Sequence, residues 1–210
     1  MHWSRTAIDA SDDRFRAKFI NSLSGFKSAN LIGTADTNGN TNLAIVSSVF
    51  HIGANPPLIG MIVRPHTVTR DTLENILATG SYTINHVSAD IWKQAHQTSA
   101  RYPKEQSEFE AVGLHEQYIE GTHAPFVKES RLKFALKLAE TQTLEINKTV
   151  MIIGEITDVI VEPLAVQEDG FIDIELLETV AVSSLDAYHR SHRLGRLSYA
   201  KPDVKPDEIG

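Results

Sequence analysis

Between Thr41 and His86 the chain sets hydroxyls, two arginines and unpaired backbone amides at successive turns of four segments: TNLAIVSSVF, the proline corner NPPLIGMIVRP, TRDTLENILATG and SYTINH. Such a set suits an anionic ligand. Arg64 ends one predicted strand and Arg70 opens the helix that follows, where unpaired N–H groups and the helix dipole attract negative charge. Thr69 and Thr72 add hydroxyls there. Ser47 and Ser48 are adjacent on a strand, so their side chains face opposite ways; Ser47 is taken as the ligand-side serine, with the amides of Val49 and Phe50 available to a planar ring. Asp71 opposes an anion in the same first turn and must point elsewhere, where it interacts favourably with the helix terminus by roughly 0.3–1 kcal/mol. Spacing alone leaves two readings open, a phosphate cradle or simply a well-capped helix.

These residues need elements to hold them. Ser11 caps a predicted helix through about Leu23, with Phe15, Phe19, Ile20 and Leu23 on one face against the main body. SANLIGT reads as a strand, and DTNGN as a turn with Asn38 and Gly39 suited to positive φ, so the strand Thr41 to Phe50 runs back antiparallel. Leu58 to Val63 is the next strand. Thr69 caps the following helix, Leu73, Ile76 and Leu77 form its buried stripe, and Gly80 stops it. Ser81 to His86 is a strand with Tyr82 and Ile84 on one face, and Ser88 to about Thr98 a helix carrying Ile91, Trp92 and Ala95. The polar stretch from Ser99 to Ser107 reads as a surface loop long enough to cover a site. Leu132 to Ile146 and Thr149 to Val161 make a long hairpin, and Phe171 to Ile174 with Val180 to Ser183 a further strand pair. A mainly β fold with inserted helices, closed into a barrel, accounts for this order better than a doubly wound parallel sheet.

Composition narrows the function. With 210 residues, 41% of them hydrophobic, the chain is able to bury a full core. No apolar run approaches the roughly 20 residues that span a bilayer, and MHWSRTAIDASDD lacks the apolar stretch of a signal peptide, so the expected location is cytoplasmic and no membrane partner is expected. A net charge of −7 argues against nucleic acid, which requires a basic surface. The absence of cysteine excludes disulfides, thiolate metal sites and cysteine nucleophiles, so redox work needs a borrowed cofactor. Nine histidines do not converge on a metal pattern, and His189 and His192 beside Arg190, Arg193 and Arg196 read as a solvated basic tail. No metal site is assigned.

A flavin mononucleotide needs donors and positive charge for its phosphate and a flat apolar slot with amides for its ring, and the central segment offers both. The ordered motifs TNLAIVSSVFHIGANPPLIGMIV and TRDTLENILATGSYTIN, followed by EFEAVGL and IIGEITDVIV, resemble the flavin reductase-like family with its FMN-binding split-barrel fold of Greek-key type. The resemblance covers about Ser28 to Tyr199, leaving residues 1–27 as a helical extension and 200–210 as a polar tail. It implies a homodimer that binds FMN non-covalently near the subunit interface. Carried over by position, Asn42 and Ser47, Ser48, Val49 and Phe50 line the ring and ribityl chain. Arg64, Thr69, Arg70 and Thr72 meet the phosphate, and Asn85 and His86 close the pocket. The bulky aromatic often found after the family's serine is replaced here by Ser48 and Val49, which leaves the stacking partner open. The implied activity is transfer of hydride from NADH or NADPH to bound flavin, then of electrons to free flavin or another small-molecule acceptor, with no obligatory catalytic side chain. There is no glycine fingerprint of a dinucleotide domain, so a nicotinamide would have to stack on the flavin.

Other readings of the same residues stay open at this level. Asn42 can merely continue the hairpin turn, Asn85 can satisfy a buried backbone group, and His51 and His86 can be ordinary hydrogen-bonded residues. Tyr188, His189 and Arg190 either reach a partner's pocket or belong to a solvated tail. At the level of the whole chain the alternatives are a non-enzymatic FMN carrier, and a split barrel that has exchanged flavin for another phosphate-bearing ligand.

Overall fold

The computed structural model describes residues 1–65, 70–103 and 105–209. Two helices open the chain, α1 (Arg5–Asp9) and α2 (Asp13–Ser22). Asp12, and not Ser11, caps α2: its carboxylate accepts from the amides of Arg14 and Phe15, while the Ser11 hydroxyl closes α1 on Ile8 O. The expected docking of this helix on the main body is corrected as well. No residue of α2 is buried; Phe15 and Phe19 stack instead on Trp3, and the tether to the body is Lys18 with Asp186.

A short strand β1 (Lys27–Ser28) leads into β2 (Asn30–Ala35), which turns through Gly39, at φ +87°, into β3 (Thr41–Val46). The single strand expected over Thr41 to Phe50 breaks at Ser47–Ser48, and β4 (Val49–Ala54) continues from there to β5 (Pro57–Val63). Then come α3 (Asp71–Thr79), β6 (Ser81–His86), α4 (Trp92–Gln97), α5 (Glu108–Val112), β7 (Glu116–Gln117), β8 (Phe126–Val127), β9 (Leu132–Thr143), β10 (Val150–Val161), β11 (Val180–Ser183) and β12 (Ala187–Arg190).

The main sheet has seven antiparallel strands in the order β3-β2-β6-β9-β10-β5-β4. Its two outermost strands, β3 and β4, are consecutive in the chain and joined by two residues. One bent strand thus pairs with β2 through its first half and with β5 through its second, which draws the sheet round into a split barrel. Alternation sends Ile32, Tyr82, Ile84, Phe134, Leu136 and Ile152 to an inner core, which Leu73 and Ile76 of α3 plug from one end. Leu31, Leu43, Val87, Val127, Val180 and Val182 form a second core on the outer face beneath α4 and α5. Leu77 does not share the buried stripe of α3: it is 54% exposed, and Asn75 is buried in its place.

The β9–β10 hairpin matches expectation, with Lys148 in the left-handed region at φ 59°. Three later assignments change. The helix expected from Ser88 shortens to α4, Phe171 to Ile174 makes only a bridge between Ile172 and Val166, and β11 pairs with β1 and β12. Tyr188, His189 and Arg190 therefore belong to a strand, not to a tail. No described helix is long and apolar enough to cross a membrane.

Candidate functional site

The Ser47–Ser48 corner is held by β5. Ser48 Oγ donates to Ile62 O at 2.7 Å, and Ser48 O accepts from Ile62 N at 3.2 Å, so this serine is engaged by the barrel wall. Phe50, 40% exposed, lies over Gly60 so closely that a Cβ there would sit 2.6 Å from its ring. The strand bonded to Ser48 ends at Val63 and is followed by Arg64, which is exposed, and Pro65. Arg70 Nε donates to Pro65 O at 2.9 Å, which ties the second guanidinium to the segment just after that strand. Thr69 and its role as cap fall outside the described residues. Arg70 itself is the boundary residue of α3, with no side-chain cap, and its N–H donates to Glu74 Oε1 at 3.4 Å.

On its other side α3 meets β3. Asn42 Nδ2 donates to Thr72 Oγ1 at 2.9 Å and reaches Thr34 Oγ1 at 3.4 Å, while Asn75 Nδ2 donates to the same Thr34 oxygen at 3.1 Å. These amides tie the helix start to β2 and β3. The small cleft beside them is lined by Asp36, Asn42, Asp71, Tyr102 and Glu108, the tyrosine coming from the loop predicted to cover a site. Glu108 is half-buried and accepts from Leu43 N at 2.9 Å; burial pushes its carboxyl up from the usual range, and Asp71 adds to that. Three carboxylates make this side hostile to a phosphate, so positive potential for an anion lies on the Arg64–Arg70 side.

β6 separates its two named residues. Asn85 is fully buried on the outer face, where Nδ2 donates to Leu31 O and Thr83 Oγ1 and Oδ1 accepts from Val127 N. The structure does not bring it to the corner. His86 points the other way, beside Phe134 at 6.3 Å between ring centres, with Nδ1 enclosed. Burial pushes its imidazole down to about 4. Unfolding frees a histidine that titrates near 6.5, so between pH 6.5 and 4 the unfolded chain binds a proton the folded one refuses. Stability conferred by neutral His86 is complete above that window and falls by about 3 kcal/mol across it. The stability difference between wild type and His86→Gln, measured by urea unfolding from pH 7 to pH 4, should shift by that amount against the wild type; parallel curves overturn it.

Residues 23–174 match the family model described as the flavin reductase like domain. The chain belongs to the flavin reductase-like family. A candidate flavin reductase with a split barrel domain from Shewanella frigidimarina NCIMB 400 is 62% identical and superposes with a TM-score of 0.93 over 95% of this chain and 100% of that one. Nitrilotriacetate monooxygenase component B from Bacillus cereus, at 20% identity, shares the fold with a TM-score of 0.82 over 94% of this chain and 98% of that one. An uncharacterised protein from Aquifex aeolicus (strain VF5) is 29% identical over 109 residues, 51% of this chain and 56% of the relative, so the match spans little more than half of that relative's length.

Membership places the chain among flavin-related oxidoreductases, and the donor set can be weighed against a flavin nucleotide. Arg64 and Arg70 stand before and after the segment entering α3 in the chain, with Arg70 bonded to Pro65 O, and the apolar side chains of Phe50 and Ile52 are exposed on β4. That chemistry fits an anionic tail joined to a flat ring. Sequence reasoning missed Asn30, a buried polar side chain beside the corner. A signal was present: in SANLIGT the asparagine has the same parity as Ile32, and a polar residue at a core parity is the informative exception.

Proposed function

We propose that the protein is an FMN-dependent oxidoreductase of the flavin reductase type that accepts hydride from NADH or NADPH and passes electrons to free flavin or another small acceptor. It would act in the cytoplasm as a homodimer with FMN near the subunit interface, its flavin-binding unit spanning 28–199 between an N-terminal extension, 1–27, and a tail, 200–210. The observation that supports this reading is the bond from Arg70 Nε to Pro65 O, which ties the start of α3 to the segment just after the strand that holds Ser48 at the corner joining β3 to β4. In this assignment Arg70 and Arg64 hold the phosphate, with Thr72 and Thr69 near the helix start, and the Val49 and Phe50 amides face the ring. Ser48 and Asn42 brace the walls. His86 closes the barrel side, and Asn85 acts from behind the wall.

When bound, the flavin supplies hydride acceptance and electron delivery, while the chain supplies charge, orientation and a dry wall. Glu74 already accepts from the Arg70 N–H, so a phosphate at that terminus depends on the guanidinium groups more than on the helix dipole.

Arg70→Ala should therefore weaken FMN binding about tenfold and more than Arg64→Ala, whose side chain is exposed and better screened. Quenching of FMN fluorescence reads both. Equal, negligible losses would sink the phosphate placement. Anaerobic mixing of the FMN-loaded protein with NADH or NADPH tests the activity. Rapid bleaching of flavin absorbance supports the reductase, whereas persistent colour assigns the chain to non-enzymatic carriage. Protein that fails to quench added FMN at all refutes the flavin reading.

A further inference from the structure

Asn30 is 1% exposed and stands in register with His86 on β6 and with Val46 at the end of β3. Two residues further along the same strands, Ile32 and Ile84 are also in register and belong to the inner core, so alternation turns Asn30 and His86 into the barrel. The amide nitrogen of Asn30 is engaged: Nδ2 donates to Ser28 Oγ at 2.8 Å, and that hydroxyl reaches Val49 O at 3.5 Å. Its amide oxygen is not. Asn30 Oδ1 and His86 Nδ1 are both enclosed, and neither has a hydrogen-bond partner among the described residues.

Directly opposed residues on paired strands lie only about 5 Å apart at Cα, so the two orphaned atoms belong to neighbouring side chains on the inner face of the sheet. A buried acceptor left unmade is costly, and internal waters occupy the places where neighbouring polar groups share that need. The groups are neutral: an asparagine oxygen and an imidazole that burial holds uncharged at pH 7. Neither a metal ion nor an anion matches them.

We propose that Asn30 and His86 bind one internal water molecule, and that Asn30, through Ser28, is a positioning residue for the Ser47–Val49 corner. The water donates one hydrogen to Asn30 Oδ1 and the other to His86 Nδ1, which fixes the imidazole proton on Nε2. A continuous polar chain then runs from His86 through water, Asn30 and Ser28 to the carbonyl of Val49, where β4 begins. The positioning role rests on the reading of this corner as a flavin contact; the water does not.

Long-range 1H–15N NMR of the full-length protein at pH 7 tests the water. Wild type should show His86 as the Nε2–H tautomer with Nδ1 at an acceptor's chemical shift, and Asn30→Leu should move that Nδ1 resonance. A crystal structure of the wild type should show water density within hydrogen-bond distance of both atoms. An Nδ1–H tautomer, or a direct contact between the two side chains, overturns the site without reference to flavin, and needs no variant to fold.

FMN titration tests the positioning. Asn30→Leu should weaken FMN binding about tenfold while Asn30→Gln, which keeps an amide N–H for Ser28 Oγ, recovers part of it and Asn30→Asp, which has no such donor, recovers less. Unchanged affinity in Asn30→Leu overturns the positioning role. If the wild type itself binds no FMN, the flavin reading and the positioning role fall together, and the tautomer alone decides the water.

Discussion

Asn85→Leu should lower the stability of the folded protein by about 4 kcal/mol, because Leu31 O and Val127 N lose the amide at once and Thr83 Oγ1 loses one of its two partners. The side chain is fully enclosed, and its amide bonds Leu31 O on β2, Thr83 Oγ1 on its own strand and Val127 N on β8. Leucine keeps the branched shape, is somewhat larger, and replaces none of these bonds. Each orphaned donor or acceptor costs about 1–3 kcal/mol, and rearrangement recovers part of the sum. Urea unfolding at pH 7 measures it; a loss below 1 kcal/mol would show that the amide is dispensable. FMN affinity of the folded fraction should stay within about twofold of wild type, since the amide faces away from the corner. A large affinity loss at unchanged stability would instead return Asn85 to the pocket.

The same residue shows where sequence reasoning stopped. SYTINH is legible as a strand with Tyr82 and Ile84 inward, and the structure keeps that parity. Which ligand or backbone group Asn85 satisfies is decided by β8, some forty residues away, and period-2 patterning holds no information on that distance. Local devices fared well for this reason: the Gly39 turn, the Gly80 stop and the β9–β10 hairpin each depend on neighbours in sequence. The strand over Thr41 to Phe50 is the instructive failure. Its apolar residues run on across the serines, but its halves pair with β2 and β5, and only the closure of the barrel determines where one partner gives way to the other.

The N-terminal helix failed differently. Of the stripe expected over Phe15, Phe19, Ile20 and Leu23, only the two phenylalanines pack, and they do so on Trp3 and not on the main core, while Ile20 and Leu23 stand exposed. Site residues divide along the same line. Arg70 is held by Pro65 O only five residues away, a contact within the reach of local spacing. Asn42 engages Thr72 across thirty residues, and the acidic cleft gathers Asp36, Asp71 and Glu108 from three elements, beyond the reach of any local pattern.

Gly33→Ala should cost about 4 kcal/mol, the combined effect of overpacking and of a displaced buried hydrogen bond. Gly33 lies on the outer face of β2, and a Cβ there would stand 2.2 Å from Pro125 O and 2.6 Å from Thr83 Oγ1. Those two atoms are themselves bonded, Thr83 Oγ1 donating to Pro125 O at 2.6 Å, so the methyl group would enter the contact that docks the segment before β8. A flexible side chain could swing aside; a backbone carbonyl flanked by buried Ala124 and Phe126 cannot. Gly53→Ala is the control, since its nearest neighbour would be Pro56 O at 3.4 Å, an ordinary contact, and its expected cost is under about 1 kcal/mol. Thermal or urea unfolding of the two variants side by side separates steric exclusion from the generic effect of removing a glycine, and equal losses would refute the close approach at Gly33. The docked segment also carries Val127 N to Asn85, so Gly33→Ala and Asn85→Leu act on one contact and their combined cost should fall short of the sum of the single effects. The outer face of β2 and β6 thereby fixes these strands, and with them the inward aim of Asn30 and His86 at the corner that the opposite face presents.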